Sequence, residues 1–300
     1  MRKAILIANP FATGVTEERI AAIERVLGEV ADLETLLTRR PRHATELAEE
    51  ACERGGCGAV FVFSGDGGFN EAVNGVDGDV PIGFLPGGGT SVLPRTLGIP
   101  HDPVEAARRL ATAFAEQRVR RISLGSVNGR RFAFSAGIGF DAEVVRRVDE
   151  LGRAPDGRRP GDVHFATTIA RILLERRGRY EPELEVVGAG RAAFVLVANT
   201  SPYTYARRLP LTFVPQADFD LGLDYVAPTR VTPRFIARLL RYAVTGHGPE
   251  RDRRILYAHD QDRIEVRCDR PLPLHADGED LGDVEHAVFE AHRHALPVLV

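Results

Sequence analysis

Apolar positions along roughly the first 120 residues fall into two alternating rhythms. Unbroken runs at Ala4–Ala8 and Ala59–Phe63 have the length of buried strands, and between them Glu17–Val30 and Ala44–Arg54 carry apolar residues at helical spacing. Further strands are predicted over Asp32–Leu37 and Val80–Leu85, with a helix over Ala106–Gln117. Alternating β and α units of this length imply a parallel sheet covered on both faces, whose ligands bind beyond the carboxyl ends of the strands. Asn9-Pro10, Gly65–Gly68 and Pro86–Thr90 all fall at such ends.

Past Arg121 the rhythm changes. Short segments of β character predominate: Arg131–Ser135, Leu184–Val187, Ala192–Asn199, Leu223–Val226, Arg263–Cys268, Ala287–Glu290 and Leu296–Val300. Helices are predicted over Ala142–Leu151, Val163–Arg177 and Pro233–Thr245, and a loop over Leu151–Gly161. The chain therefore reads as two domains, 1–121 and 122–300: a doubly wound α/β domain, then a mostly antiparallel β-sandwich with inserted helices.

Composition narrows the class. Three hundred residues, 44% hydrophobic and 27% charged, describe a soluble globular protein. A formal charge of −3 argues against nucleic acid as the main partner. No apolar run reaches the roughly 18–20 residues a membrane span needs. The start, Met1-Arg2-Lys3 before Ala4–Ala8, reads as a first strand and not as a signal peptide, so a cytoplasmic protein is expected, with peripheral contact at the inner membrane face left open. Cys52, Cys57 and Cys268 lack a second pair to complete a zinc site and read as free thiols.

The candidate chemistry gathers at Ser64-Gly65-Asp66-Gly67-Gly68. A glycine-rich turn from strand to helix aims backbone N–H groups and a positive helix end at one place, which suits phosphate. Asp66 adds a carboxylate able to bind Mg²⁺ or accept a proton. Gly75 is expected to end the helix as a C-terminal stop. The chain holds one lysine, Lys3, among 39 basic residues, and no Gly-Lys-Ser/Thr, which excludes an ordinary P-loop. Leu85–Pro100 repeats the arrangement: a strand end, Gly87-Gly88-Gly89-Thr90, then a short helix from about Ser91 in which Pro94 is tolerated only in the first turn.

In this order the motifs resemble the soluble diacylglycerol kinase catalytic family, which includes sphingosine kinases and bacterial lipid kinases. Asn9-Pro10 with Thr13-Gly14 is similar to its Asn-Pro-x-Ser-Gly loop, and Thr38 with His43-Ala44 to its Thr…His-Ala element. Ser64–Gly75 is similar to Gly-Gly-Asp-Gly-Thr-x-Asn-Glu-Val-x-Asn-Gly. Phe134–Val144 resembles the Ala-Gly-x-Gly-x-Asp-Ala segment, Ala217–Asp224 the Asp-Gly-x-Leu-Asp stretch, and Ala276–Glu279 the late Asp-Gly-Glu. The resemblance implies an NAD-kinase/diacylglycerol-kinase-like fold and transfer of the γ-phosphate of ATP, with Mg²⁺, to a lipid hydroxyl such as that of diacylglycerol. It places nucleotide at the strand ends of the first domain and lipid in the cleft between domains. Asp66 and Glu279 are the implied catalytic carboxylates, with the proton unassigned between them and Asp141 in support. Nucleotide contacts fall on Asn9, Pro10, Thr13, Thr38, Gly65, Gly67, Gly68, Asn70, Glu71, Gly88, Gly89, Thr90 and Arg95. Metal contacts fall on Asp66 and Asp220. The implied partner is a lipid at a membrane surface, with no nucleic acid, and a homodimer stays open.

Two departures bear on activity. Gly68 stands where the family has threonine, with Thr90 the candidate to supply the hydroxyl, and Val92 stands where many members carry a metal-network aspartate. The alternatives are an NAD-kinase-like small-molecule kinase and a catalytically lapsed nucleotide- or lipid-binding protein. His275, beside Asp277-Gly278-Glu279, is the histidine with most functional promise. The predicted helix Pro233–Thr245 sets Phe235, Ile236, Leu239, Leu240 and Ala243 against Arg234, Arg238 and Arg241, which fits either packing with a solvated arginine face or an anionic membrane surface.

Overall fold

The computed structural model describes residues 1–152, 162–206 and 209–300. From residue 153 onward the predicted loop Leu151–Gly161 lies outside them. The chain forms two units, Met1–Ile122 with His294–Val300, and Ser123–Arg293.

The first unit begins β1 (Arg2–Ala8), α1 (Glu17–Gly28), β2 (Ala31–Leu37), α2 (His43–Glu53), β3 (Cys57–Ser64), α3 (Asp66–Gly75) and β4 (Ile82–Pro86). Then come α4 (Val92–Thr96), α5 (Pro103–Ala115) and the start of β5 (Val119–Val127). Its strands are parallel in the order β4-β3-β1-β2, so β1 and β3 lie side by side while their connections run to opposite sides. That is a topological switch point, where the two following loops diverge and leave a crevice. Caps fix where the helices start: Thr16 accepts from Arg19 N–H, and Asp102 accepts from Val104 and Glu105 N–H with Pro103 at the first position. The core is aromatic, with Phe61 edge-on to Phe114 at 5.9 Å and Phe69 edge-on to Phe84 at 5.3 Å.

The last seven residues belong here and not, as the sequence suggested, to the second domain. Val298 pairs in parallel with Ile82 of β4, and Leu296, Val298 and Leu299 are buried. An all-parallel sheet is covered on both faces, so its outer strand needs an apolar neighbour, and Leu296–Leu299 provides one.

The second unit continues with β6 (Arg130–Phe132), β7 (Ser135–Ile138), α6 (Phe140–Glu150), α7 (Asp162–Glu175), β8 (Leu184–Val186), β9 (Gly190–Ala192) and β10 (Val195–Ala198). β11 (Thr204–Ala206), β12 (Leu209–Leu211), β13 (Leu223–Pro228), α8 (Pro233–Thr245), β14 (Ile255–Gln261), β15 (Arg263–Ala276) and β16 (Glu279–Leu299) follow. Its pairings are antiparallel, in the order β14-β13-β10-β7-β15-β16. Besides β16, β15 serves two more partners: Val266–Cys268 pairs β8, and Leu274–Ala276 pairs β7. The sandwich core formed between them includes Phe132, Val195, Val197, Leu223, Val266 and Phe289. Among the described residues, no helix is long and apolar enough to cross a membrane.

Candidate functional site

The loops after β1, β3 and β4 are tied together by backbone. Asn9 N–H donates to Phe63 O at 3.0 Å, Gly14 N–H to Gly87 O at 2.8 Å, and Gly87 N–H to Ser64 O at 2.7 Å. Asn9 also spans the switch point with its side chain, since Nδ2 donates to Ser64 Oγ at 3.2 Å while Oδ1 accepts from Phe11 N–H. Glycines let these backbones touch. A Cβ on Gly14 would sit 2.9 Å from Gly87 O, and one on Gly88 2.9 Å from the Cα of Gly65. Asp66 is the first residue of α3, Gly65 is the N-cap, and no side chain caps that first turn. The first-turn amides of α3 therefore open the helix with no side-chain cap, the arrangement a phosphate site uses.

The other expected contacts distribute along the same edge. Thr38 directly follows β2, with its N–H on Ala8 O at the end of β1, and Pro10 and Thr13 are exposed in the first loop. Gly89 is exposed, Thr90 is half-buried in the third loop, and Arg95 is half-buried on α4. Asn70 is buried, its side-chain oxygen taking a hydrogen bond from Asn74 Nδ2. Glu71 is engaged by α2: its carboxylate accepts from Ala44 N–H at 3.2 Å, capping the start of that helix.

The second unit holds the remaining carboxylates. Asp141, in the first turn of α6, accepts from Tyr203 Oη at 2.8 Å and contacts His275 Nε2 at 2.5 Å. His275 is 1% exposed, and its Nδ1 finds no partner among the described residues. A carboxylate only accepts, so the His275 proton is on Nε2 and points at Asp141. Gly137 makes room for the contact, because a Cβ there would meet His275 Nε2 at 2.9 Å and Asp141 Oδ2 at 3.2 Å. Burial, reinforced by the neighbouring Asp141, pushes the Tyr203 phenol well above its ordinary range and keeps it a donor.

Glu279 is presented by a two-residue hairpin. Ala276 pairs with Glu279, and Asp277 and Gly278 between them have φ of 48° and 77°, the left-handed values a type I′ turn demands. The Asp277 carboxylate is spent on structure, accepting from Ala133, Phe134 and Ser135 N–H at 2.7, 2.9 and 3.1 Å. Glu279 itself pairs with Arg130 Nη2 at 3.2 Å, both half-buried. Asp220 is exposed in a turn, its N–H on Asp218 Oδ1. Among the described residues, no three His, Cys, Asp or Glu side chains gather in a way that would hold a metal ion.

Residues 3–127 match the model of the diacylglycerol kinase catalytic domain. A Streptococcus pneumoniae protein named "Putative lipid kinase" is 31% identical over 210 residues, 67% of this chain and 68% of that protein. The chain belongs to the diacylglycerol kinase catalytic family. A Staphylococcus aureus (strain MSSA476) relative, also named a "Putative lipid kinase", is 25% identical over 167 residues, 54% of this chain and 52% of its own, so the chain spans about half of that relative's length. A Bacillus anthracis crystal structure of a "putative diacylglycerol kinase" superposes with a TM-score of 0.77 over 99% of this chain and 95% of that one. At 23% identity this likeness establishes the fold.

Against the pattern of the diacylglycerol kinase family, both departures have a physical setting. A Cβ on Gly68 would overlap Ser64 Oγ and lie 2.8 Å from Ser64 Cβ. The hydroxyl beside position 68 is therefore that of Ser64. Val92 is 3% exposed in α4, where Leu93 and Pro94 are buried too, and a hydrated carboxylate has no place there. Sequence reasoning gave the Ser64 side chain no role within its motif and missed Arg130 and Tyr203, none of which lies next to its partner along the chain.

Proposed function

We propose that the protein is an ATP-dependent lipid kinase that moves the γ-phosphoryl group of ATP to a lipid hydroxyl at a membrane surface, diacylglycerol being the type acceptor. The observation that carries this reading is the set of three glycine-bearing loops at the β1/β3 switch point, tied to one another by backbone hydrogen bonds, together with the first turn of α3, which no side chain caps. Backbone amides suit phosphate oxygens, and a lone lysine outside any P-loop leaves amides and arginine as the binding groups. A nucleotide-bound Mg²⁺ keeps several waters and takes only one or two carboxylates, so Asp66 alone, beside the phosphate cradle, fits such an ion without a three-residue cluster. When bound, the metal would neutralise charge on the phosphates.

In this reading the first unit binds nucleotide, and Asp141 and Glu279 are the carboxylates of the second unit that the family resemblance implicates. Asn9 fixes Ser64 and so the turn into Asp66. Tyr203 and His275 hold Asp141 in one orientation. The hairpin holds Glu279, and Arg130 orients its carboxylate. The acceptor hydroxyl forms a bond to phosphorus as the bond to ADP breaks, and its proton passes to Asp66 or Glu279. Catalysis of this kind is chiefly positioning and charge stabilisation, so displaced groups cost rate more than affinity.

The test is transfer of labelled γ-phosphate from ATP to a lipid extract in detergent micelles. Wild type should label a lipid whose mass names the acceptor. Asp66→Asn should lose activity by at least about a hundredfold, the scale of removing one electrostatic catalytic group, with Glu279→Gln run alongside. Full activity in Asp66→Asn would sink the assignment.

A further inference from the structure

α8 buries one face and leaves the other to solvent. Thr232 caps its start, accepting from Phe235 N–H, and Gly246 ends it in the left-handed conformation. Phe235, Tyr242 and Ala243 are buried, with Leu239 packed against the same cluster. Leu240, assigned to the apolar face from sequence, is instead 60% exposed, and Val244 is 54% exposed. With Ala237, also exposed, they form a line at spacings of three and four, one stripe along the outer face. Arg234 and Arg241 are exposed beside it.

The chain after α8 adds more positive charge. Residues 233–254 contain six arginines and two acids, Glu250 and Asp252, a balance of +4 within a chain of −3. Arg238 is matched by Asp252 at 3.0 Å, and Arg251 approaches Glu250 at 3.7 Å. Arg234, Arg241, Arg253 and Arg254 form no ion pair among the described residues, and all four are exposed. Arg238, Arg241, Arg251, Arg253, Arg254 and His247, against Glu250 and Asp252, line an open basin of about 700 Å³.

We propose that the outer face of α8, with Arg251–Arg254, is a docking surface for a bilayer containing anionic phospholipid. Unneutralised guanidinium groups attract phosphate, and each basic side chain near an anionic leaflet strengthens binding. Charge alone would suit any polyanion. The apolar stripe decides, since Leu240 and Val244 gain nothing from a nucleic acid backbone, whereas an interface offers acyl chains beside phosphates. An amphipathic helix lying in that interface uses both halves of the face. The inference draws its purpose from the lipid-kinase reading but stands or falls on its own measurement.

Co-sedimentation with vesicles separates the two. Wild type should bind phosphatidylcholine vesicles containing phosphatidylglycerol, bind pure phosphatidylcholine at least about tenfold more weakly, and release as salt rises. Arg234→Glu/Arg241→Glu and Leu240→Ser/Val244→Ser should each lose at least about tenfold in vesicle affinity. Both should keep wild-type circular dichroism and, if the kinase reading holds, wild-type activity on micellar lipid. Binding by the variants equal to wild type, or no preference for anionic vesicles, overturns the proposal. Retention on RNA without vesicle binding also overturns it and assigns the arginines to another polyanion. Vesicle binding as described, in a protein that phosphorylates no micellar lipid, upholds the docking face and removes the kinase reading alone.

Discussion

A side chain at position 68 and the hydroxyl of Ser64 compete for one volume, because the added Cβ would overlap Ser64 Oγ. Gly68→Thr should therefore cost about 1–3 kcal/mol, the scale of overpacking, and, under the proposed function, weaken the rise in Tm expected on adding ATP. Ser64→Gly/Gly68→Thr should recover both, as differential scanning fluorimetry with and without ATP would read. If Gly68→Thr alone matches wild type, the shared-volume account is wrong. Asp277→Ala should destabilise by about 2 kcal/mol or more, since it leaves three buried amides without their acceptor and takes aspartate from the turn; the midpoint of urea unfolding checks it. The motif residues that end strands or open helices were legible in the sequence. The partners that orient them were not: Asn9–Ser64, Tyr203–Asp141, His275–Asp141 and Arg130–Glu279 join residues 55, 62, 134 and 149 positions apart. Asp-Gly at 277–278 was a hairpin signal that could have announced the turn before Glu279.

Elements bounded by caps and breakers were the most readable. The helix over Pro233–Thr245 was placed to the residue, because Thr232, Pro233 and Gly246 mark both ends chemically. β1 and β3 followed from their continuous apolar runs. The second unit was harder. β14 was missed, its residues mostly half-buried with no alternation, and the stretch of β16 before Ala287 is polar and mostly exposed or half-buried. Such strands owe their conformation to the neighbour they pair with more than to their own pattern. Gly75 was misread for a related reason. It is the last helical residue and not a left-handed stop, and a Cβ there would overlap Thr45 O and lie 3.0 Å from Ala48 Cβ. Its function is to let α3 approach α2, an approach also tied by Thr45 Oγ1 donating to Glu71 O at 2.8 Å. Gly75→Ala should force the helices apart and lower Tm by several degrees, at a cost of about 1–3 kcal/mol. A Tm unchanged or raised, as helix propensity alone would give, would show that the contact does not matter.

At the scale of the whole molecule, the division into an α/β part and a β-rich part was legible, but the return of the last residues was not. A terminal apolar strand carries no mark of which sheet it joins. Deleting residues 294–300 removes Leu296, Val298 and Leu299, each fully buried and worth about 1.5–3 kcal/mol. The loss, about 5–9 kcal/mol, is comparable with the whole stability of an ordinary domain. Hydrogen exchange at the β4 amides should accelerate by orders of magnitude in the truncated protein, and unchanged protection there would refute the edge role. The same pairing has a consequence for biosynthesis. Val298 leaves the ribosome 216 residues after Ile82 (298 minus 82), which at about 5–20 residues per second is a delay of about 10–45 s. Throughout that interval the nascent sheet ends at a bare parallel edge, a template for pairing with other chains. Chaperone occupancy on stalled nascent chains should accordingly peak before the final strand emerges.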